Sequence, residues 1–152
     1  MSFRGRLKTA AAAAATCLAA TAAAQGVVPV EQQAKDLILE AKDLYRAGAA
    51  DAALATLARA PEIPIAPEHP LIVMAEGTAK AIEEIREDFH AGINYYNRGA
   101  VSKALESWDS VLALDAKLVG DQPSRYAQAV AGYWSRELAF KAEDSFRKGK
   151  YE

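Results

Sequence analysis

The chain has 152 residues, 51 % hydrophobic and 25 % charged, which excludes a disordered polymer and suits one folded domain. The formal net charge is −2, an acidic balance that argues against non-specific nucleic-acid binding, because phosphate neutralisation needs a concentrated basic surface. One cysteine, Cys17, excludes an internal disulfide framework, and abundant alanine favours helix over strand.

Residues 1–24 read as a signal peptide. Arg4, Arg6 and Lys8 form a basic start, an almost unbroken Ala, Thr and Leu run follows, and Ala22-Ala23-Ala24 precedes Gln25. Small residues at these positions suit signal-peptidase cleavage between Ala24 and Gln25. A mitochondrial-type leader and a lipidated Cys17 are the alternatives. Cleavage removes three basic groups and no acidic one, leaving 15 Lys plus Arg against 20 Asp plus Glu, a net charge of −5. That balance weakens any case for docking on anionic lipid. The remaining chain has no stretch suited to a transmembrane helix, so the expected product is exported, periplasmic or extracellular.

Residues 25–33 form an exit segment containing Pro29. Leu37, Ile38, Ala41, Leu44 and Tyr45 then share one face of a helix over 31–47. Gly48 breaks the pattern, Asp51 is placed to cap, and Ala53, Leu54, Leu57 and Ala60 carry a return helix. Next comes a stretch with Pro61, Pro64, Pro67 and Pro70, proline at every third position. That period fits a polyproline II segment, read here as a stiff connector rather than a docking ligand, with Pro70 near a helix start.

Leu71, Met74, Ala75, Thr78, Ala81 and Ile82 keep the helical period into Phe89, Gly92, Ile93 and Tyr96, predicting one long helix over about 71–97. A separate helix bent at Gly77 is the alternative. Gly99 ends the helix, Ser102 is placed to cap the next, and Ala104, Leu105, Trp108, Val111 and Leu112 form its stripe. Superposing Gly48 on Gly99 aligns Asp51 with Ser102, Ala53 with Ala104, Leu57 with Trp108, Ala41 with Gly92 and Tyr45 with Tyr96. Gly149 extends the register, putting Phe146 in the Tyr96 slot and Ala142 in the Gly92 slot. Tyr126, Ala129, Val130 and Tyr133 lead into that third copy, so a second long helix is expected over about 124–148. Bending at Gly132 is again the alternative. This is an internal repeat.

The unit around 85–118 resembles a tetratricopeptide repeat, with Gly92, Tyr95, Gly99, Ala104 and Trp108 in signature slots. It departs at Ala116, where the family has a helix-ending proline. Glycines 51 and 50 residues apart also exceed the family's period of about 34. The resemblance implies an all-α, tetratricopeptide-type solenoid of helical hairpins with long helices, in units of about 34–67, 85–118 and 135–152, the last truncated. The final helix would then either act as a cap or belong to a longer chain.

Chemistry is thinly provided for. His69 lies in the connector and His90 off the apolar stripe, so both are expected on the surface, and no HExxH or paired histidines offer metal ligands. Glu83, Glu84, Glu87 and Asp88, with Lys80 and Arg86 nearby, read as a solvated, salt-linked face. No cofactor, metal or enzymatic activity is expected.

The resemblance implies that the first helix of each pair lines a concave partner-binding side. By register this selects Lys35, Ile38, Lys42, Tyr45 and Arg46, then Arg86, Phe89, Ile93, Tyr96 and Asn97, then Arg136, Glu143, Phe146 and Arg147. Cations interleaved with aromatics suit an acidic or C-terminal-carboxylate peptide. Tyr45, Tyr96 and Phe146 are equally open to packing between repeats. The expected function is a non-catalytic scaffold for protein–protein interaction. Its alternatives are the targeting arm of a longer envelope enzyme or envelope-remodelling protein, and a self-assembling structural protein.

Overall fold

The computed structural model describes residues 28–149. The signal peptide, its cleavage site at Ala24 and Gln25, Cys17 and the last three residues lie outside them. Among the described residues the fold is all-α: α1 Val30–Arg46, α2 Ala50–Leu57, a 3-10 turn Ala60–Glu62, α3 Pro70–Asn97, α4 Val101–Val119 and α5 Arg125–Arg147. No strand occurs among them. Helix α1 starts directly after Pro29, ahead of the unit boundary at 34, and buries Ala34, Leu37, Ile38, Ala41 and Tyr45 at spacings of three and four.

The two complete hairpins share one turn. Gly48 has φ +86° and Gly99 φ +75°, a left-handed conformation that costs glycine nothing and L side chains much. Ala49 N–H donates to the Leu44 carbonyl and Ala100 N–H to the Tyr95 carbonyl, both at 2.9 Å, closing the same six-residue ring around each helix end. Gly149 repeats the geometry at φ +64°, its N–H reaching the Phe146 carbonyl at 3.1 Å.

These turns correct the expected caps. Helix α2 starts after Ala49 and α4 after Ala100, and neither N-terminus receives a side-chain bond. The glycine turn delivers the backbone straight into the next helix, so Asp51 and Ser102 already lie in its first turn. Ser124 is instead a true cap: its hydroxyl accepts from Ala127 N–H at 3.3 Å in a buried setting. Ser102→Ala should therefore change stability by less than about 0.5 kcal/mol, whereas Ser124→Ala should cost about 2 kcal/mol in urea unfolding.

In the connector the prolines at 61, 64 and 67 are exposed while Ile63 and Ile65 pack against the core, as a stiff spacer requires. His69 is more than a surface residue. Its Nδ1 accepts from Leu71 N–H at 3.3 Å and caps α3, with Pro70 at the first helical position. Its Nε2 lies 3.8 Å from a Glu31 carboxylate oxygen. Helix α3 runs through Gly77 and α5 through Gly132, so both long helices are continuous. Helix α4 passes Ala116 and ends only before Gly120, consistent with the missing proline.

Small residues set the seams: Ala41, Ala53 and Ala104 are fully enclosed. At Gly92 even a Cβ would overlap the Trp108 indole. Tyr126 meets Phe89, and seven residues later Tyr133 meets Tyr96, so α5 runs in the same direction as α3. Trp108 stacks on Tyr133 with centroids 4.6 Å apart, and Tyr45 stacks on Tyr126 at 5.8 Å. Beyond Trp134 no residue of α5 is buried. A strictly one-dimensional stack lets each unit touch only its neighbour. Here α1 also reaches the start of α5, which ties the first hairpin to the last described helix.

Candidate functional site

Two features of the described residues carry polar or exposed chemistry: a buried cluster where α1, α4 and α5 converge, and the exposed half of α5.

Asp115 sits on α4 in phase with Trp108, Val111 and Leu118, so the helical period turns its carboxylate inward, 2 % exposed. One oxygen accepts from the Tyr45 hydroxyl at 2.5 Å and the other from Ser124 N–H at 3.1 Å. The Ser124 hydroxyl lies 3.2 Å from the Tyr45 oxygen and donates to it. No Lys or Arg bonds the carboxylate, and the positive end of the α5 dipole stands where a cation would. Tyrosine, aspartate and serine could suggest acid–base chemistry. Yet all three are enclosed and their polar atoms are committed to one another or to the α5 backbone. The cluster positions α5; it does not admit a substrate.

Burial, followed by the bond to Asp115, raises the Tyr45 phenol well above its ordinary value of about 10. Burial also raises Tyr126, with the Asp51 charge adding to the effect. A raised pKa leaves the native state holding a proton that the unfolded chain releases, so the stabilisation is complete below pH 10 and declines above it. Stability should accordingly fall above about pH 10 by up to 1.4 kcal/mol per pH unit for Tyr45. Denaturant titrations at pH 8 to 11 should show this slope flattening in Tyr45→Phe.

The expected partner residues divide. Ile38 and Tyr45 are buried, 4 % and 0 % exposed, which corrects their placement on a binding face: both belong to the core. Phe89, Ile93 and Tyr96 are half-buried and pack on it, Phe89 and Tyr96 through ring contacts that involve α5. Lys35 and Asn97 are exposed, and Lys42 and Arg46 half-buried. Arg46 pairs with Asp43 at 2.9 Å. Arg86 reaches across to Asp51 of α2 at 2.5 Å, so it bridges helices instead of neutralising the neighbouring acidic run. The cations of α1 and α3 thus do not converge on one groove. His90 is exposed beside Phe89, and Glu83, Glu84 and Glu87 are exposed. Among the described residues no group of three His, Cys, Asp or Glu is disposed to hold a metal ion. No helix among them is long and apolar enough to cross a membrane.

Arg136, Glu143, Phe146 and Arg147 all lie on the half of α5 that leaves the body. The helical period separates two faces there. Arg136, Phe140 and Arg147 share one, with Phe140 67 % exposed and Arg136 5.9 Å from the Tyr133 ring. Leu138, Ala142 and Phe146 share the other, with Leu138 59 % and Phe146 68 % exposed. Glu143 lies on the same face as Arg136, Phe140 and Arg147, its carboxylate 3.9 Å from the Arg147 guanidinium. Asp115 and Ser124 escaped the sequence reading, although a carboxylate in phase with Val111 and Leu118 was a visible sign.

In comparisons with known proteins, no family model matches the chain, and no match was found among curated proteins or solved structures. The fold and surface define an all-α chain of helical hairpins with one long helix half exposed.

Proposed function

We propose that this chain is a non-catalytic, exported scaffold of tetratricopeptide-repeat type that holds a protein or peptide partner. The repeat reading is supported by three glycine turns of one geometry and by seams narrowed at equivalent small residues. Export is supported by the basic start, the apolar run and the small residues before Gln25. The observation that carries the binding reading is the Arg136–Phe140–Arg147 face, an exposed aromatic between two guanidinium groups. Aromatic and Arg side chains are the usual anchors of interfaces, and this pattern suits an acidic segment carrying one apolar anchor.

The test is capture of partners from an envelope extract of the source cells, with the mature chain as bait beside Arg136→Glu/Phe140→Ser. Both positions are exposed, so the variant should keep its helical circular dichroism. Recovery of the main partner should fall at least about tenfold, the size of a lost interface anchor. Equal recovery by both baits refutes the assignment. N-terminal sequencing of the natural protein should start at Gln25.

A further inference from the structure

We propose that the Lys35–Leu39–Arg46 face of α1 is a second site for the same class of partner, so that one chain grips two acidic segments, each carrying an apolar anchor. This deepens the scaffold reading and rests on it, since the site it doubles is the Arg136–Phe140–Arg147 face.

The two faces are register equivalents. Superposing Gly48 on Gly149 sets Lys35 on Arg136, Leu39 on Phe140 and Arg46 on Arg147. Lys35, Leu39, Lys42 and Arg46 follow at spacings of four, three and four, so they share one side of the helix, as Arg136, Phe140, Glu143 and Arg147 do. Leu39 is 59 % exposed against 67 % for Phe140, and Lys35 is exposed like Arg136. In each face the second cation leans on a carboxylate one turn back, Arg46 on Asp43 at 2.9 Å and Arg147 on Glu143 at 3.9 Å. One place differs, Lys42 in α1 against Glu143 in α5, which makes α1 the more cationic of the two.

Packing does not ask for this recurrence. Exposed side chains can change with little effect on folding, yet both faces hold a cation, an exposed apolar side chain and a second cation at the same positions. The middle unit is the contrast. Its equivalents are Arg86, His90, Ile93 and Asn97, and Arg86 is tied to Asp51. It offers neither an exposed apolar anchor nor a second cation, so it separates two sites instead of joining them.

Charge selects the occupant. The chain as a whole is acidic, so general attraction does not draw an acidic segment to it and local cations must. Eleven residues of helix set the two cations of each face about 16 Å apart with the apolar side chain between, which fits acidic groups on either side of one apolar residue. The sites also have a fixed relation. Glu31 lies beside His69 at the start of α3, and Tyr45 stacks on Tyr126 at the start of α5, so α1 runs with α3 and ends where α5 begins. Leu39 precedes Tyr45 by six residues and Phe140 follows Tyr126 by fourteen, which places the anchors on the order of 30 Å apart.

Peptide titrations of the mature chain test this with two probes. One is a synthetic segment of Asp and Glu around a single Leu. The other is a tandem of two such segments on a flexible Gly-Ser linker of about 30 residues, whose mean span matches that separation. Wild type should take up two single segments, with dissociation constants on the order of 100 μM. Lys35→Glu/Leu39→Ser and Arg136→Glu/Phe140→Ser should take up one each. The tandem should bind wild type one to one, about tenfold tighter than it binds either variant. All four substituted side chains are exposed, so both variants should keep their helical circular dichroism. A single site abolished by the α5 variant overturns the proposal while the scaffold reading stands. A single site abolished by the α1 variant overturns the proposal and the α5 assignment together. Sites indifferent to both variants, or no binding of either probe to wild type, also overturn the proposal, and partner capture then judges the scaffold reading by itself.

Discussion

Gly92→Ala should lower stability by about 2–3 kcal/mol, although alanine is the better helix former by about 1 kcal/mol. The added methyl enters the space of the Trp108 indole. The indole has nowhere to go: it is 1 % exposed and lies against Tyr96 and Tyr133. The first hairpin shows a compatible alternative, since Ala41 and Leu57 occupy the positions of Gly92 and Trp108. Trp108→Leu alone should cost about 3 kcal/mol through the cavity it leaves. The double variant Gly92→Ala/Trp108→Leu should cost clearly less than the two singles added, because the methyl then fills part of that cavity. Urea unfolding of the four proteins measures the coupling, and strictly additive losses would show that the two side chains do not share the seam.

Asp115→Ala should cost about 3 kcal/mol or more. It deletes two hydrogen bonds to a charged acceptor and strands the Tyr45 hydroxyl and Ser124 N–H in the interior. Tyr45→Phe should cost about 2 kcal/mol, because the carboxylate keeps its bond to Ser124 and the helix end. Combining them should cost less than the sum, since a phenyl ring has no donor to strand. The loss has a location as well as a size. Hydrogen exchange in Asp115→Ala should accelerate first at Ala127 and the following turn of α5, while the α1–α2 hairpin keeps its protection. Uniform acceleration throughout would mean that the cluster does not anchor α5 in particular.

What could be read from the sequence was what is local. Gly48, Gly99 and Gly149 mark turns because only glycine takes that backbone freely, and Ala53 and Ala104 mark seams by their place in the period. The continuity of α3 and α5 followed from stripes that do not change phase at Gly77 or Gly132. The caps failed for a local reason too: polar residues at 51 and 102 looked suitable, but the glycine turn starts each helix earlier. The candidate site was harder. Tyr45 reads as an aromatic on a repeat face, and nothing within twenty residues reveals that its hydroxyl meets Asp115, 70 residues on, and Ser124, 79 residues on. Arg86 likewise has four carboxylates close in sequence, yet its partner is Asp51, 35 residues back. Side chains that join distant helices leave only a phase, and a phase does not name a partner.

The bond between Tyr45 and Ser124 also bears on how the molecule comes apart. An array joined only at successive interfaces can melt from one end, losing hairpins in turn. Here α1 cannot fray without abandoning a carboxylate on α4 and the start of α5, so heat should unfold the described residues in a single transition whose width reports the whole body. Folding should be correspondingly slower than helix content alone suggests, because the loop spanning residues 45 to 124 must close before that cluster forms.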